Sequence, residues 1–399
     1  MKNFVFISPH FPDCFWKFCL ALKNRGFCVL GIGDCPYDRL QGELKYALTE
    51  YYCCYDMENY ENEKRAVAYF ENKYGHIDFL ESNNEYWLEK DAMLRKDFNI
   101  TTGPFPDEVK FYKHKSLQKE IFKRAGLKCA RYTLDTTLEN LLNFVKEVNY
   151  PIFAKPDNGV GAHGTYKINN EAELVNFVNS KDKNVPYIVE EYVYGQIISY
   201  DGISNSKGDV IFSTSNEFVT SVADIVNQNL DDMYYCIPEI DPNFDEIGRK
   251  VVKEFNLRNR FFHIEFFRLL EDHPYLGKAG TIIPLEGNMR PAGGYTPDLI
   301  NFANSISCYD IFADSIAYDE NRQVSIGGKF FAITPSRRYS INYEHTNEEI
   351  IKKYWYAICL HGVYPQILRD AMGDYYFMAK FKTKEEAAEF DNFVRLQKK

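Results

Sequence analysis

Four groups of residues in this chain have the types and spacing to do chemistry, and they occur in a telling order. The first is Lys155, which ends the run Pro151-Ile152-Phe153-Ala154-Lys155 and is followed by a glycine-rich stretch, 157–164, containing Gly159, Gly161 and Gly164. Glycines let backbone N–H groups approach a phosphate without a Cβ in the way. A lysine beside them adds a point charge for the same group. The second group is Glu190-Glu191-Tyr192-Val193. A carboxylate there can accept from a ribose hydroxyl or a lysine, and the backbone of Glu191, Tyr192 and Val193 can read an adenine edge. The third is His263-Ile264-Glu265, inside an otherwise apolar run. The fourth is Glu286-Gly287-Asn288-Met289-Arg290-Pro291.

By the period of a strand, His263, Glu265 and Phe267 share one face, and Glu286, Asn288 and Arg290 line up on another. Mg²⁺ takes oxygen ligands from a few side chains and fills the rest of its shell with waters and nucleotide phosphates. Glu265, Glu286 and Asn288 form such a set, and Arg290 suits a phosphate or carboxylate by forked donation. Each group also has a plainer reading. The glycines alone could make a hairpin turn, with His163 a solvated loop residue. Adjacent glutamates are usually one solvated and one paired. Glu265, too costly to bury alone, could form a core ion pair with Arg268 or Arg290. The order of all four favours a nucleotide-and-metal site. The pattern GxxxxGK[ST] is absent because the lysine precedes the glycines, and the kinase triplets HRD and DFG are absent too, so the site belongs to neither class.

The elements that must position these residues alternate between strand and helix at the start of the chain. Strands are predicted at 3–8, 27–32 and 79–82, with helices near 13–25 and 61–74, which implies a parallel sheet. Gly31-Ile32-Gly33 lacks the third glycine of a dinucleotide fingerprint. Helices follow at 116–125, closed by Gly126, and at 137–148, 171–179 and 245–255. Strands are predicted at 132–134, 151–155, 187–190, 261–270 and 281–288. The stretch 195–220 reads as a hairpin about the turn 205–209. Residues 271–280 are a turn-rich insertion. Beyond 325, strands at 328–333 and 375–381 flank a helical stretch, and a helix runs from 384 to 393.

With 399 residues, 45% hydrophobic and 26% charged, the chain is long enough for two or three globular domains. A formal charge of -10 argues against nucleic-acid or anionic-membrane partners. No run approaches the roughly 18 apolar residues of a membrane span, and the first apolar run breaks too early for a signal segment. Ten cysteines without a CxxC pair fit free thiols in a reducing cytoplasm and give no support for a zinc site.

The ordered motifs resemble those of the ATP-grasp ligases, the superfamily that includes biotin carboxylase, D-alanine–D-alanine ligase and the L-amino-acid ligases. The resemblance covers roughly residues 1–335. It implies an α/β (α+β) chain: an N-terminal parallel-sheet domain (1–112), a small ATP-grasp subdomain with the glycine-rich loop (113–190), a large one with the metal site (191–324) and a small C-terminal α+β region (325–399). It also implies ATP and Mg²⁺, or Mn²⁺, as cofactors. Lys115, with Lys113 as a nearby competitor, is similar to the family's first nucleotide-phosphate lysine and Lys155 to the second. The loop 157–164 is similar to the phosphate lid and 190–193 to the adenine and ribose linker. Glu265, Glu286 and Asn288 resemble the metal ligands, and Arg290 and Lys155 the catalytic cations. The run from His263 to the Gly-Gly after Pro291 is closer to the carboxylate–amine branch than to biotin carboxylases. The activity implied is amide formation between a small carboxylate and an amine, or a thiol, through an acyl phosphate. A small-molecule kinase and a nucleotide-binding regulatory protein are the alternatives. One departure is Ile197, where many relatives carry a glutamate. Gly293 to Asp298 could border the acyl site or lead into a helix. The C-terminal region could pack on the core, cap the substrate pocket or form a homodimer contact.

Overall fold

Strands Asn3–Ile7 (β1), Cys28–Gly33 (β2), Glu50–Cys53 (β3) and Phe79–Glu81 (β4) open the computed structural model, which describes residues 1–159, 164–218 and 233–398. They form the expected parallel sheet, in the order β3-β2-β1-β4. Every residue of β1 and β2 is buried, the signature of a parallel sheet covered on both faces. The helix predicted near 13–25 is a 3-10 turn, Asp13–Phe15, running into the α-helix Trp16–Asn24. The helix Leu88–Asp97 leaves little trace in the sequence because its buried side includes Asp91 and Arg95, so no apolar stripe marks it. Among the described residues no helix is long and apolar enough to cross a membrane.

Glu63, on the helix Tyr60–Tyr74, is fully buried, and among the described residues neither carboxyl oxygen has a hydrogen-bond partner. Burial pushes its carboxyl up to about 8; Lys90 opposes this, while Asp91 and Glu58 add to it. The folded chain therefore keeps a proton that the unfolded chain, at the ordinary 4.5, has lost. The associated stability is complete below the unfolded value and disappears as pH rises through the folded one. Thermal melts of the wild type should fall between pH 5 and pH 8, whereas Glu63→Gln should flatten the profile and add roughly 1–3 kcal/mol at pH 8. Parallel profiles for the two proteins would exclude Glu63 as the source.

Two antiparallel sheets follow. The smaller joins Tyr132–Thr133 (β5), Ile152–Pro156 (β6), Tyr166–Ile168 (β7) and Tyr187–Glu191 (β8) in the order β5-β8-β6-β7. The amphipathic helices Leu138–Val148 and Glu171–Ser180 bury Leu141, Phe144, Leu174 and Phe177 against it. The larger sheet contains Gly195–Ser204 (β9), Val210–Phe218 (β10), Tyr234–Ile237 (β11), Arg260–Leu269 (β12), Ile282–Asn288 (β13), Phe331–Ile333 (β14), Ser336–Arg337 (β15), Ile358–Val363 (β16) and Tyr375–Phe381 (β17). Its order is β13-β12-β9-β10-β11-β14-β17, with β15 and β16 both paired to β17. The strands beyond residue 325 thus continue the same sheet, and the strand predicted at 328–333 forms only over its last three residues. The predicted hairpin is present as β9 and β10; positions 219 and 220 lie outside the described residues.

Period two divides β9 and β12 cleanly. Ile198, Tyr200, Phe262, Ile264 and Phe266 pack on the helices Lys115–Arg124 and Pro242–Glu254. The second of these helices starts earlier than the predicted 245, because the Asp241 side chain accepts from the Phe244 N–H at 3.1 Å and Pro242 fits the first turn. The opposite face of the strands carries Ser199, Asp201, His263 and Glu265. Arg260, at the start of β12, ties this sheet to the N-terminal one: it donates to both oxygens of buried Glu81 at 2.6 and 2.8 Å and to the Met289 carbonyl at 2.7 Å. That single guanidinium fixes the end of β4 against the ends of β12 and β13.

Candidate active site

The register of β12 against β13 builds the core of the site. Glu265 lies opposite Glu286, and His263 opposite Asn288, so all four side chains project from one sheet face. A β-bulge between these strands leaves Leu285 without a partner and brings Leu285 and Glu286 together into the same cavity. β13 is an edge strand, and the amide of Gln118 closes its edge by accepting from the Gly287 N–H at 2.9 Å and donating to the Gly287 carbonyl at 2.8 Å.

Glu265 does not pair with Arg268, which reaches Glu217 instead at 3.5 Å. Its hydrogen-bond partner is His263, whose Nε2 lies 3.1 Å from the carboxylate while Nδ1 lies 2.7 Å from Asp201. Asp201 also accepts from the Ser199 hydroxyl and from Asn216 at 2.8 Å. Burial alone would lower the imidazole, but Asp201 and Glu265 hold it at about 10, so His263 is an imidazolium. Burial likewise opposes ionisation of Glu265, and His263, Arg290 and Lys155 together keep it below the ordinary carboxylate value. Ile197, Ser199 and Asp201 share one face of β9. The acidic group this strand presents on that face is therefore Asp201, four residues beyond Ile197.

The lysines approach from the other side. Lys155, the next-to-last residue of β6, has its ammonium 2.8 Å from Glu190. Burial opposes its charge, while Glu190, Glu286 and Glu265 raise its pKa above the ordinary value. Lys115, the first residue of its helix, sits 3.2 Å from Glu286 and donates to the Gly159 carbonyl at 3.1 Å. The helix start is capped from outside: Asp157 accepts from the Ser116 N–H at 2.7 Å and its hydroxyl at 2.9 Å, which ties the base of the glycine-rich stretch to Lys115. Lys113 is turned away, donating to the Glu85 carbonyl at 3.2 Å. Lys119 is not among the motif residues, yet it lies one turn beyond Lys115 on the same helix face and shares the Glu190 carboxylate with Lys155. Burial disfavours that carboxylate, and the two ammonium groups outweigh it, holding it at about 2.

Both adjacent glutamates are buried and paired, unlike the usual split. Glu191 is held by Arg131 at 2.9 and 2.6 Å, which commits its side chain to that guanidinium. Glu191, Tyr192 and Val193 all border the cavity, where Tyr192 is covered by the Lys167 ammonium 4.2 Å from its ring centre. Gly159 lines the cavity and Gly164 lies beside Pro156; Gly161 and His163 fall outside the described residues. Arg290 is engaged by Glu85, which follows β4 and accepts from its Nε and Nη2 at 3.1 and 2.8 Å. Nothing in the local sequence flags Glu85. Its role comes from the Glu81–Arg260 tie that brings its loop across.

Lys115, Lys119, Lys155, Glu190, Glu265, Glu286, Asn288 and Arg290 all border one cavity of about 900 Å³. Ala130, Phe153 and Leu270 add apolar surface to its lining. Gly293, Gly294 and Thr296 also line it, as do Leu368, Ala371 and Met372 of the C-terminal region, where Met372 packs on Gly294. The segment after Arg290 thus borders the cavity and also leads into the helix Thr296–Asn304.

Known proteins resemble this chain in sequence and in fold. Residues 148–298 match the ATP-grasp domain family. A 124-residue stretch, 30% of the chain, is 25% identical to the carbamoyl phosphate synthase large chain of Clostridium beijerinckii and spans 12% of that protein. The fold resembles that of L-amino acid ligase from Bacillus licheniformis with a TM-score of 0.71, at 14% identity, over 98% of this chain and 96% of that one. It also resembles the biotin carboxylase domain of Hydrogenobacter thermophilus 2-oxoglutarate carboxylase, solved with ADP, its magnesium salt and bicarbonate. There the TM-score is 0.69 at 16% identity, over 97% of this chain and 88% of that one. The family match spans Lys155, Glu190, Glu265, Glu286, Asn288 and Arg290, and the likeness in fold to these solved structures extends over nearly the whole chain: residues 148–298 resemble an ATP-grasp domain, in a chain that shares the fold of these proteins.

Proposed function

We propose that this chain is an ATP-dependent, ADP-forming ligase that joins a small-molecule carboxylate to an amine through an acyl phosphate. The observation that carries the reading is the charge layout of the cavity. Lys115, Lys155 and Arg290 line, together with Glu265, Glu286 and Asn288, one cavity of about 900 Å³, a space large enough for a nucleotide and a small acid. Glu265, Glu286 and Asn288 offer oxygen donors only, which fits Mg²⁺, with waters and phosphate oxygens needed to complete its shell. When bound there, Mg²⁺ would neutralise phosphate charge. Lys115 and Lys155 hold the phosphates, and the backbone of 191–193 and the apolar surface of Ala130, Phe153 and Leu270 hold the base.

The substrate carboxylate attacks the γ-phosphorus of ATP, the bond to the β-phosphate oxygen breaks, and ADP leaves. The amine then adds to the acyl carbon, loses a proton and expels phosphate. Arg290, whose Nε and Nη2 are held by Glu85, steadies the transferring group with its remaining Nη donors, and Lys155 offsets its charge. The chemistry needs no protein nucleophile. The deciding experiment is ADP and phosphate release from Mg·ATP against a matrix of amino acids and small carboxylates, read with product mass. A product equal to acid plus amine minus water supports the ligase. ADP release with a phosphorylated product would mean a kinase, and nucleotide binding without release across the matrix would leave a regulatory binder.

Lys119 gives this reading a separate check. It divides the Glu190 carboxylate with Lys155, so its loss leaves Glu190 to compete alone with phosphate for the Lys155 ammonium. Lys119→Met should weaken ATP binding on the order of tenfold, about 1.4 kcal/mol. Unchanged nucleotide affinity would show that Lys155 is positioned without it.

A further inference from the structure

We infer that the acid activated in this cavity carries an apolar side chain, lodged against Phe218, Leu368 and Met372, and that the segment Gln366–Met372 sets this preference. The inference rests on the ligase reading for the direction of the substrate, since it places the reacting carboxylate at Arg290. Beyond Arg290 the wall is made by Phe218, Tyr234, Ala292, Leu368, Ala371 and Met372. Among the described residues, the polar side chains at this wall are engaged with one another or with neighbours. The Tyr234 hydroxyl is 2.6 Å from Thr296 Oγ1, which donates to the Gly293 carbonyl at 2.7 Å. Asp298 is bound by Lys17 at 2.7 and 2.8 Å. Against these described residues a polar side chain would lose hydration and meet polar side chains that are already paired, whereas an apolar one loses only water contact.

The wall is also held in place, so its shape can discriminate. Arg338 donates to the carbonyls of Arg369 and Asp370 at 3.1 and 3.0 Å, and Arg369 Nε to that of Tyr364 at 2.9 Å. Tyr364 in turn stacks on Tyr295, with ring centres 5.8 Å apart. Met372 rests on Gly294: a Cβ at that residue would stand 2.6 Å from the methionine Cε, and its φ of +60° already favours glycine. Leu368 and Met372 are half-buried, packed on the core from one side and open to the cavity on the other.

The test uses hydroxylamine as a common amine, so that only the acid varies. Acyl phosphate plus hydroxylamine gives hydroxamate plus phosphate, and hydroxamate formation reports activation of each acid. Leucine, methionine and phenylalanine should exceed asparagine and aspartate at least tenfold in kcat/KM. Met372→Phe should move the optimum towards alanine, and Leu368→Lys towards glutamate, both with KM for ATP unchanged. Calorimetric binding of the same acids to protein loaded with Mg²⁺ and a non-hydrolysable ATP analogue runs in parallel. Hydroxamate formed as well from the polar acids, or ratios unmoved in both variants, would overturn the inference and leave the ligase standing. Selective binding of apolar acids that shifts in the variants, without ADP release, would keep the apolar site and overturn the ligase. Neither binding nor release would overturn both.

Discussion

Replacing Glu286 by glutamine should reduce ADP formation on the order of 10³-fold while the protein still folds. Glu286 faces Glu265 across two paired strands and touches Lys115 at 3.2 Å, so the change is nearly isosteric and leaves an acceptor for the lysine. What disappears is one of two negative charges in the oxygen set proposed for Mg²⁺. The loss should therefore be accompanied by a shift of the Mg²⁺ activation curve to higher concentration. The melting temperature should move little, because the side chain is only partly buried. Asn288→Ala should follow the same pattern. Near-normal turnover with either variant, at unchanged Mg²⁺ dependence, would remove these residues from the metal assignment.

Arg290→Ala should lower kcat by about 10²–10³-fold and change ATP affinity much less, because the proposed role is to steady the group in transfer rather than to hold the nucleotide. The structure adds a complication that has to be separated. Arg290 is the cation paired with buried Glu85, and stranding a buried carboxylate costs about 3–5 kcal/mol. Arg290→Lys resolves it. Lysine can still neutralise Glu85, but it cannot donate as a planar fork. A catalytic arginine predicts that lysine restores the melting temperature and leaves turnover low. A purely structural arginine predicts that both recover together. Equal losses in kcat and ATP affinity would point instead to a binding role.

The motifs were legible because each sits on a local period. The two-residue repeat of β12 put His263 and Glu265 on one face, and the ordered groups around Lys155, Glu190 and Glu286 pointed to a nucleotide site before any contact was known. The parallel N-terminal sheet was legible for a related reason, since covered parallel strands are continuously apolar. Elements whose buried faces include charge, such as Leu88–Asp97 with Asp91 and Arg95, carried no such mark. Lys119 had a weak signal, its spacing of four from Lys115 along one helix face. Asp201 had one too, since it repeats with Ser199 and Ile197 along β9.

Pairing partners were a different matter. That Glu265 would take an imidazolium rather than Arg268 or Arg290 depended on β9 lying beside β12, which aligns Asp201 with His263. That Arg290 would meet Glu85 depended on a contact between residues 205 positions apart. The C-terminal region supplied strands to the central sheet and put Leu368 and Met372 in the lining of the cavity, where its own sequence left three arrangements open. The order and type of the chemical groups follow from local repeats written along the chain. Which charges neutralise one another, and what completes the lining of the cavity, follow from sheet register and long-range packing, where the energy of each choice depends on neighbours that no local window contains.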